Sequence, residues 1–501
     1  MSASIERARL RQWHDPAVVF AALYGADPYA VWLDAGPEAV TGVSYLGAAS
    51  ARSRFVTASV RENMVTVSVP GDPSAADITV PGTIFDFLRR DRVERGLPGA
   101  GNAPTDHAHA GVDAGGFQLG WVGWLGYELG VQTVGAPAHD SRTTDAALLD
   151  LDRVIVFDHR MKTVTLLARE GIVDWARNVQ DVLEGGLADA PNDVPNPPLL
   201  DPAVARWRHS PRQYAELIDR CQAAIHAGDA YQLCLTNEIR LDLHPAPDTV
   251  YSRLRAENPS HHGGLLRFGD VSLLSSSPEQ FLAVSQTGLV TTKPIKGTRA
   301  RSLDPGLDAA LRDELVASDK ERAENLMIVD LMRNDLGRIA RLGSVCVTSL
   351  LGVESYATVH QLVSTIEAWL APGIRGIDAV EACFPAGSMT GAPKRSAMTL
   401  LDALEAGPRG IYAGAFGYLG DDGAIDLAMV IRSIVIAPDG VSIGTGGGIT
   451  ALSDPAEEIA ETRLKVAALL RALGVSASPE PASGSGVGNL EGWTAPARAS
   501  A

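Results

Sequence analysis

A chain of 501 residues with 46% hydrophobic and 21% charged side chains has the make-up of a soluble globular protein, with material for two or three ordinary domains or one large elaborated one. Its 60 acidic and 43 basic side chains leave a formal charge of −17. That field repels phosphate backbones and anionic lipid, so nucleic acid and membrane surfaces are poor partners, and an anionic small molecule would need local positive charge or a cation. Cys221, Cys234, Cys346 and Cys383 are scattered without a CxxC pair, as expected of reduced and mostly buried thiols in a cytoplasmic protein. Residues Met1 to Arg7 lack the apolar core of a signal peptide, and no apolar run is long enough to span a bilayer.

In chain order, Gly96 to Gly116 is dense in Gly, Ala, Pro and His and reads as punctuation. The β-branched run Arg153 to Phe157 reads as a strand, and Gly185 to Pro198, with four prolines, as a linker that resists helix and central strand. Pro211 to Ala227 has helical character and Val271 to Leu274 that of a strand. The segment Thr291 to Arg299 is a strand and turn that sets Lys296 between Ile295 and Gly297. A helix is expected from Ser318-Asp319-Lys320-Glu321, a capping-box pattern, through Asp330. Gly444 to Gly448 is glycine-rich, and a last helix is expected from Asp454-Pro455 to about Gly474. Its apolar stripe is Ile459, Val466, Leu470 and Leu473, with Glu458, Glu461 and Lys465 on a separate stripe. Residues 476–501, opening Ser-Ala-Ser-Pro-Glu-Pro, lack core material and are expected to be a disordered tail. Strands and helices do not alternate strictly, so the expected class is α+β, a large mixed-sheet protein with helices packed outside.

Glu321 and Glu324 on one helix, and Glu458 and Glu461 on the other, are i, i+3 pairs of the kind that can hold a magnesium ion through oxygen ligands. Any single pair is more often a solvated face, and capping alone explains Glu321. Lys296 is either a surface charge or, in a cleft, a nucleophile. Gly446, Gly447 and Gly448 serve either a turn or an anion cradle. Spacing alone stops at an acidic metal site and an anion cradle.

From Pro211 to Gly474 the chain resembles the chorismate-utilising enzymes, which include the anthranilate, aminodeoxychorismate, isochorismate and salicylate synthases. The resemblance is carried by Gly228-Asp229-Ala230-Tyr231-Gln232, Ser277-Pro278-Glu279, Pro294 to Arg299, Arg322 to Leu331, Phe384 to Lys394, Tyr412 to Tyr418, Ile431-Arg432-Ser433, Gly446 to Ile449 and Glu461 to Lys465. Residues 1–200 are more loosely similar, through Trp32-Leu33-Asp34 and Gly120 to Glu128, and the resemblance implies that they complete the same two-sheet sandwich as the catalytic region 201–475.

By this resemblance Glu324 and Glu461 are the principal ligands of Mg2+, supported by Glu321 and Glu458. Tyr412 and Arg432 grip the enolpyruvyl carboxylate of chorismate, and Thr298, Gly446, Gly447, Gly448 and Lys465 surround the ring carboxylate. Gln232 stands where water-adding members have a lysine base, and a glutamine cannot take that proton. Lys296, where anthranilate synthases have Ala, is similar to the nucleophile of the aminodeoxychorismate branch, and Glu279 is the matching general acid. The implied reaction is amination of chorismate at C4 through a covalent lysine intermediate, on the route to para-aminobenzoate. The runner-up is the large subunit of an anthranilate synthase. No glutamine amidotransferase signature is present, so a heterodimer with a separate glutaminase subunit is expected. Three departures stand out: Gln361 in place of a His, with His360 beside it as the candidate substitute; Gln280 in place of Arg; and Leu33-Asp34-Ala35 where relatives that bind tryptophan have Ser.

Overall fold

The computed structural model describes residues 5–72, 74–97, 116–185, 200–356 and 359–476. The expected tail beyond Ser476 and most of the two segments read as punctuation lie outside the described residues. Two antiparallel sheets dominate, each of twelve strands. In the first, strands from residues 6–168 lie at one end and strands from residues 206–449 at the other. They meet where Tyr29–Asp34 pairs with His262–Phe268, from Phe268 opposite Tyr29 to Gly263 opposite Asp34. In the second sheet the corresponding join is Gly120–Leu125 against Ala415–Gly420, with Leu125 opposite Ala415.

The strands alternate which core they serve, because successive side chains leave opposite faces. Val31 and Leu33 point into the layer between the sheets, whereas Ala30 and Trp32 point outward to a layer of helices. The second sheet does the same, with Val122 and Trp124 inside and Trp121 and Leu125 outside. Trp124 and Phe268 stack across the sandwich at 4.9 Å between ring centres. In the middle of each sheet both faces are therefore buried, one against the other sheet and one against helices, whereas the edge strands Ile78–Pro81 and Cys346–Ser355 of the second sheet are largely exposed. This is the expected α+β sandwich with helices outside. Of the four cysteines, Cys221, Cys234 and Cys383 are buried and Cys346 is exposed; none is bonded to another.

Two helices on the outer layers matter for the site. Asp319–Gly337 starts at Ser318, whose hydroxyl accepts from the Glu321 N–H, one half of the expected capping box. Pro455–Ala472 starts at Asp454, whose carboxylate accepts from the N–H groups of Ala456 and Glu457. Its buried face runs through Glu458, Thr462, Val466, Leu469 and Leu470. That corrects the expected apolar stripe: Glu458 belongs to the buried face and Ile459 only to its edge. Among the described residues no helix is long and apolar enough to cross a membrane.

Candidate active site

Lys296 owes its position to an irregularity in the ladder. Ile295–Ala300 pairs with Val359–Trp369, but Ile295 faces Val363 while Thr298 faces Gln361, so one strand spends an extra residue over this step. Such a bulge re-aims the side chains within it. Gly297 takes the left-handed conformation the bulge needs, with φ of +83°, and an added Cβ there would meet the Glu321 carboxylate and Leu315. The amine of Lys296 consequently lies 3.8 Å from Glu324 Oε2, with both side chains largely buried. Burial opposes a charge on Lys296, but Glu324, the Cys234 thiol, Glu279 and Glu461 outweigh it and hold its pKa above the ordinary lysine value.

Glu279 is buried, and burial pushes its pKa up to about 7, against Lys296, a hydrogen bond with Ser388 and the Ile295 backbone. The four expected metal carboxylates approach from the two helices. Glu324 is held above its ordinary range by burial, and the charges of Glu321 and Glu458 add to the effect. Glu458 accepts from Lys320 at 2.9 Å and from Ser453 at 2.7 Å. Burial opposes the charge on Glu461, but Lys465 at 2.7 Å, with Lys320 and Lys296 further off, brings its pKa below the ordinary value. Glu321 faces Arg299 at 3.7 Å.

Lys465 also donates to the Gly446 carbonyl at 2.7 Å. The glycine run is a strand, Gly440–Ile449, not a turn. One edge is paired with Gln232–Leu241, Gly448 opposite Cys234; beyond Ser442 no described strand continues along the other edge. Side chains at Gly444 and Gly448 would strike the Tyr412 ring and the Gln232 amide, and one at Gly447 would come within 2.9 Å of Glu458 Oε2. Gln232 is buried, and its Oε1 has no protein partner, as befits an acceptor left for a ligand or water. Arg432 sits at φ of +50°, a left-handed conformation that costs a non-glycine residue about 1–3 kcal/mol, and Ala413 beside Tyr412 sits at +64°. Burial lowers the pKa of Arg432 and raises that of Tyr412. Thr298 is exposed across the ladder from Gln361. An open cleft of about 680 Å³ borders Tyr412 and Gly444 and contains Arg142, Arg208 and Arg240, but none of the metal-site carboxylates.

His360, the candidate substitute for the histidine at the position of Gln361, is turned to the other side of the strand. It hydrogen-bonds Ser355 at 2.8 Å and Asp308 at 3.0 Å, on the opposite face of the strand from Gln361. Gln280 donates to Asp426 at 3.0 Å, and Asp34 is committed to Arg255 at 2.5 Å and to Tyr251 at 3.2 Å. Lys320, Ser453, Ser388 and Cys234 border the site and carry no role in the sequence reading. Only Lys320, four residues before Glu324 on one helix, had a spacing that could have drawn notice.

Among the described residues no three His, Cys, Asp or Glu form a ready-made metal cage. The donor set nonetheless suits Mg2+, which takes carboxylate oxygens, is commonly held by one or two of them, and leaves its other positions to water and substrate. The buried Glu324, crowded by two other carboxylates, is the group a hard cation would relieve.

The two-sheet α+β sandwich thus brings lysines, an arginine and paired carboxylates to one place, a set of charges suited to an anionic ligand. The chain belongs to the chorismate binding enzyme family, whose model matches residues 88–471. It is 42% identical over 92% of its length to an aminodeoxychorismate synthase of Streptomyces griseus, and covers 63% of that protein. It is 38% identical over 71% of its length to anthranilate synthase component 1 of Streptomyces coelicolor, covering 73% of that protein. The crystal structure of anthranilate synthase component I from Streptococcus pneumoniae is similar at a TM-score of 0.69 and 27% identity, over 85% of this chain and 92% of that one. The chain thus spans a little under two thirds of the length of the Streptomyces aminodeoxychorismate synthases it matches.

Proposed function

We propose that this chain aminates chorismate at C4 to give 4-amino-4-deoxychorismate, using ammonia released by a separate glutaminase subunit. The observation that carries the reading is Lys296, a buried amine in a β-bulge beside Glu324 and under the field of Glu279. Likeness to aminodeoxychorismate synthases over 92% of the chain supports it, as does the turning of His360 away from Gln361, which leaves the eliminating histidine of anthranilate synthases without a counterpart.

Lys296 starts as an ammonium and must lose a proton before it can attack. Glu279, with a pKa near 7 and electrostatically coupled to the lysine, is suited to receive it. One transfer then leaves a neutral amine and a loaded acid. The amine forms a bond to C2, both conjugated ring double bonds shift towards C4, and the C4–O bond breaks as Glu279 returns its proton to the leaving hydroxyl, which departs as water. Ammonia attacks C4, both double bonds shift back, and the C2–N bond breaks with the excess proton returning to Lys296. Arg432 and Tyr412 hold the enolpyruvyl carboxylate, the arginine through its planar fork, and Lys465 lies at the ring carboxylate. Glu324 and Glu461, backed by Glu321 and Glu458, would hold Mg2+, which when bound supplies Lewis-acid polarisation and neutralises the ring carboxylate.

The test is chorismate without ammonia, followed by intact-mass and peptide analysis. A fraction of the chain should carry an adduct on Lys296, and Lys296→Ala should abolish both adduct and 4-amino product. Normal production of 4-amino-4-deoxychorismate by Lys296→Ala would defeat the covalent mechanism, and anthranilate as the product would establish the rival activity.

A further inference from the structure

Arg409 is an arginine buried among backbone carbonyls, with its side chain 2% exposed. It follows the helix Lys394–Glu405 and turns its guanidinium back into the protein. Nε donates to Glu405 Oε2 at 2.8 Å, and Nη2 donates to Glu405 Oε1 at 2.6 Å and to the Cys234 carbonyl at 2.9 Å. Nη1 donates to the Met389 carbonyl at 2.6 Å, and the Tyr127 ring lies beneath at 4.2 Å. Glu405 in turn accepts the Thr236 N–H at 2.8 Å, and Glu128 accepts the backbone N–H groups of Arg409 and Gly410.

The two carbonyls are informative. Met389 follows Ser388, whose hydroxyl bonds Glu279. Cys234 lies two residues after Gln232 on the strand opposite Gly448, and its N–H donates to Thr390 at 2.9 Å. The guanidinium therefore spans the point where the turn carrying Ser388 meets the strand carrying Gln232. An arm that served only to fasten the helix would have no need to reach both. A lysine could balance Glu405 but has no planar fork to serve three directions at once.

We propose that Arg409, oriented by Glu405, is a positioning residue for the reaction, fixing Ser388 and hence Glu279 relative to Gln232 and the glycine strand. The proposal rests on the roles given above to Glu279 and Gln232. The effect falls mainly on kcat, because Glu279 acts on the reacting groups, whereas Arg432 and Lys465, which would grip the substrate, stand on other segments and Tyr412 alone of that set shares the segment of Arg409, three residues on.

Arg409→Lys, Ser388→Ala and the double variant are assayed with chorismate and ammonium salt, with rates expressed per folded molecule. Arg409→Lys should lose about tenfold or more in kcat, with KM for chorismate within about threefold. Ser388→Ala should lose kcat in the same way, and the double variant should fall little below Arg409→Lys, since both act through one contact. Unchanged kcat in folded Arg409→Lys, or a double-variant loss equal to the product of the single losses, overturns the proposal. If Arg409→Lys does not fold, Glu405→Gln, which leaves the arginine in place but unties its orientation, should show a smaller loss with the same split; wild-type kcat there overturns it too. Lys296→Ala is run alongside. Normal product from that variant overturns the underlying reading, whereas an inactive Lys296→Ala beside a normal Arg409→Lys overturns the positioning role alone.

Discussion

Gly444→Ala separates the geometry of the substrate grip from its chemistry, since it changes no polar group. The backbone at Gly444 is ordinary strand, so alanine adds no backbone strain. Its new methyl would overlap Cγ and both Cδ atoms of Tyr412. Carbon atoms rest about 3.5–4.0 Å apart, so the ring must retreat by more than 1 Å or the strand must bow. Overpacking of this kind costs about 1–3 kcal/mol of stability. A displacement of about 1 Å in a group that holds substrate can cost on the order of 100-fold in kcat/KM. The loss should fall mainly on KM, because Tyr412 is assigned to the enolpyruvyl carboxylate and not to the reacting carbons. Steady-state kinetics with ammonium salt and a denaturant titration measure both effects. A Gly444→Ala protein with KM within about twofold of normal and unaltered stability would refute the reasoning.

Glu461→Gln removes a negative charge and a strong oxygen ligand, so activity should fall by orders of magnitude while circular dichroism is unchanged; near-normal turnover at low Mg2+ would remove Glu461 from the metal site. Arg255→Ala leaves Asp34 buried without its cation and should cost about 3–5 kcal/mol in denaturant unfolding, a loss below about 1 kcal/mol counting against the pairing. Buried Glu128 has a pKa of about 7 against an ordinary value of 4.5, so its protonated form stabilises the fold fully below pH 4.5, and that contribution is lost as pH rises through 7. Glu128→Gln should therefore gain stability relative to wild type between pH 5 and 8, by on the order of 3 kcal/mol, and a pH-independent difference would rule this out. The purified chain alone should use ammonium at raised pH but not glutamine, and glutamine-dependent turnover would end the case for a separate glutaminase.

Signals in the sequence are legible where the chemistry is local. The caps at Ser318 and Asp454 and the proline at the head of the last helix are visible in a few adjacent residues. The glycine run was not, because a strand of glycines is unusual. Its need for hydrogen alone comes from Tyr412, Gln232 and Glu458, which are distant in sequence. The placing of Glu458 on the buried face is not legible for a related reason: the charge of Lys320 and the hydroxyl of Ser453 that make burial tolerable come from other segments. The bulge at Lys296 leaves only one trace, Gly297, and a glycine by itself does not say which way its neighbour turns. His360 was legible as a histidine in the right neighbourhood, but a one-residue offset on a strand reverses the face.

The interleaving of early and late strands has a consequence for synthesis. Ser433–Ala437 and Gly440–Ile449 lie in the interior of the first sheet, between Val271–Ser277 and Gln232–Leu241. A nascent chain that has released everything up to about residue 430 therefore carries two exposed strand edges facing a gap, the arrangement most prone to pairing with the wrong chain. Closure must await about the last seventh of translation, so the interval before residue 449 clears the ribosome is when the protein most needs a chaperone. A ribosome stalled just before residue 430 should yield aggregates, whereas the full-length chain released from the ribosome should form a protease-resistant body.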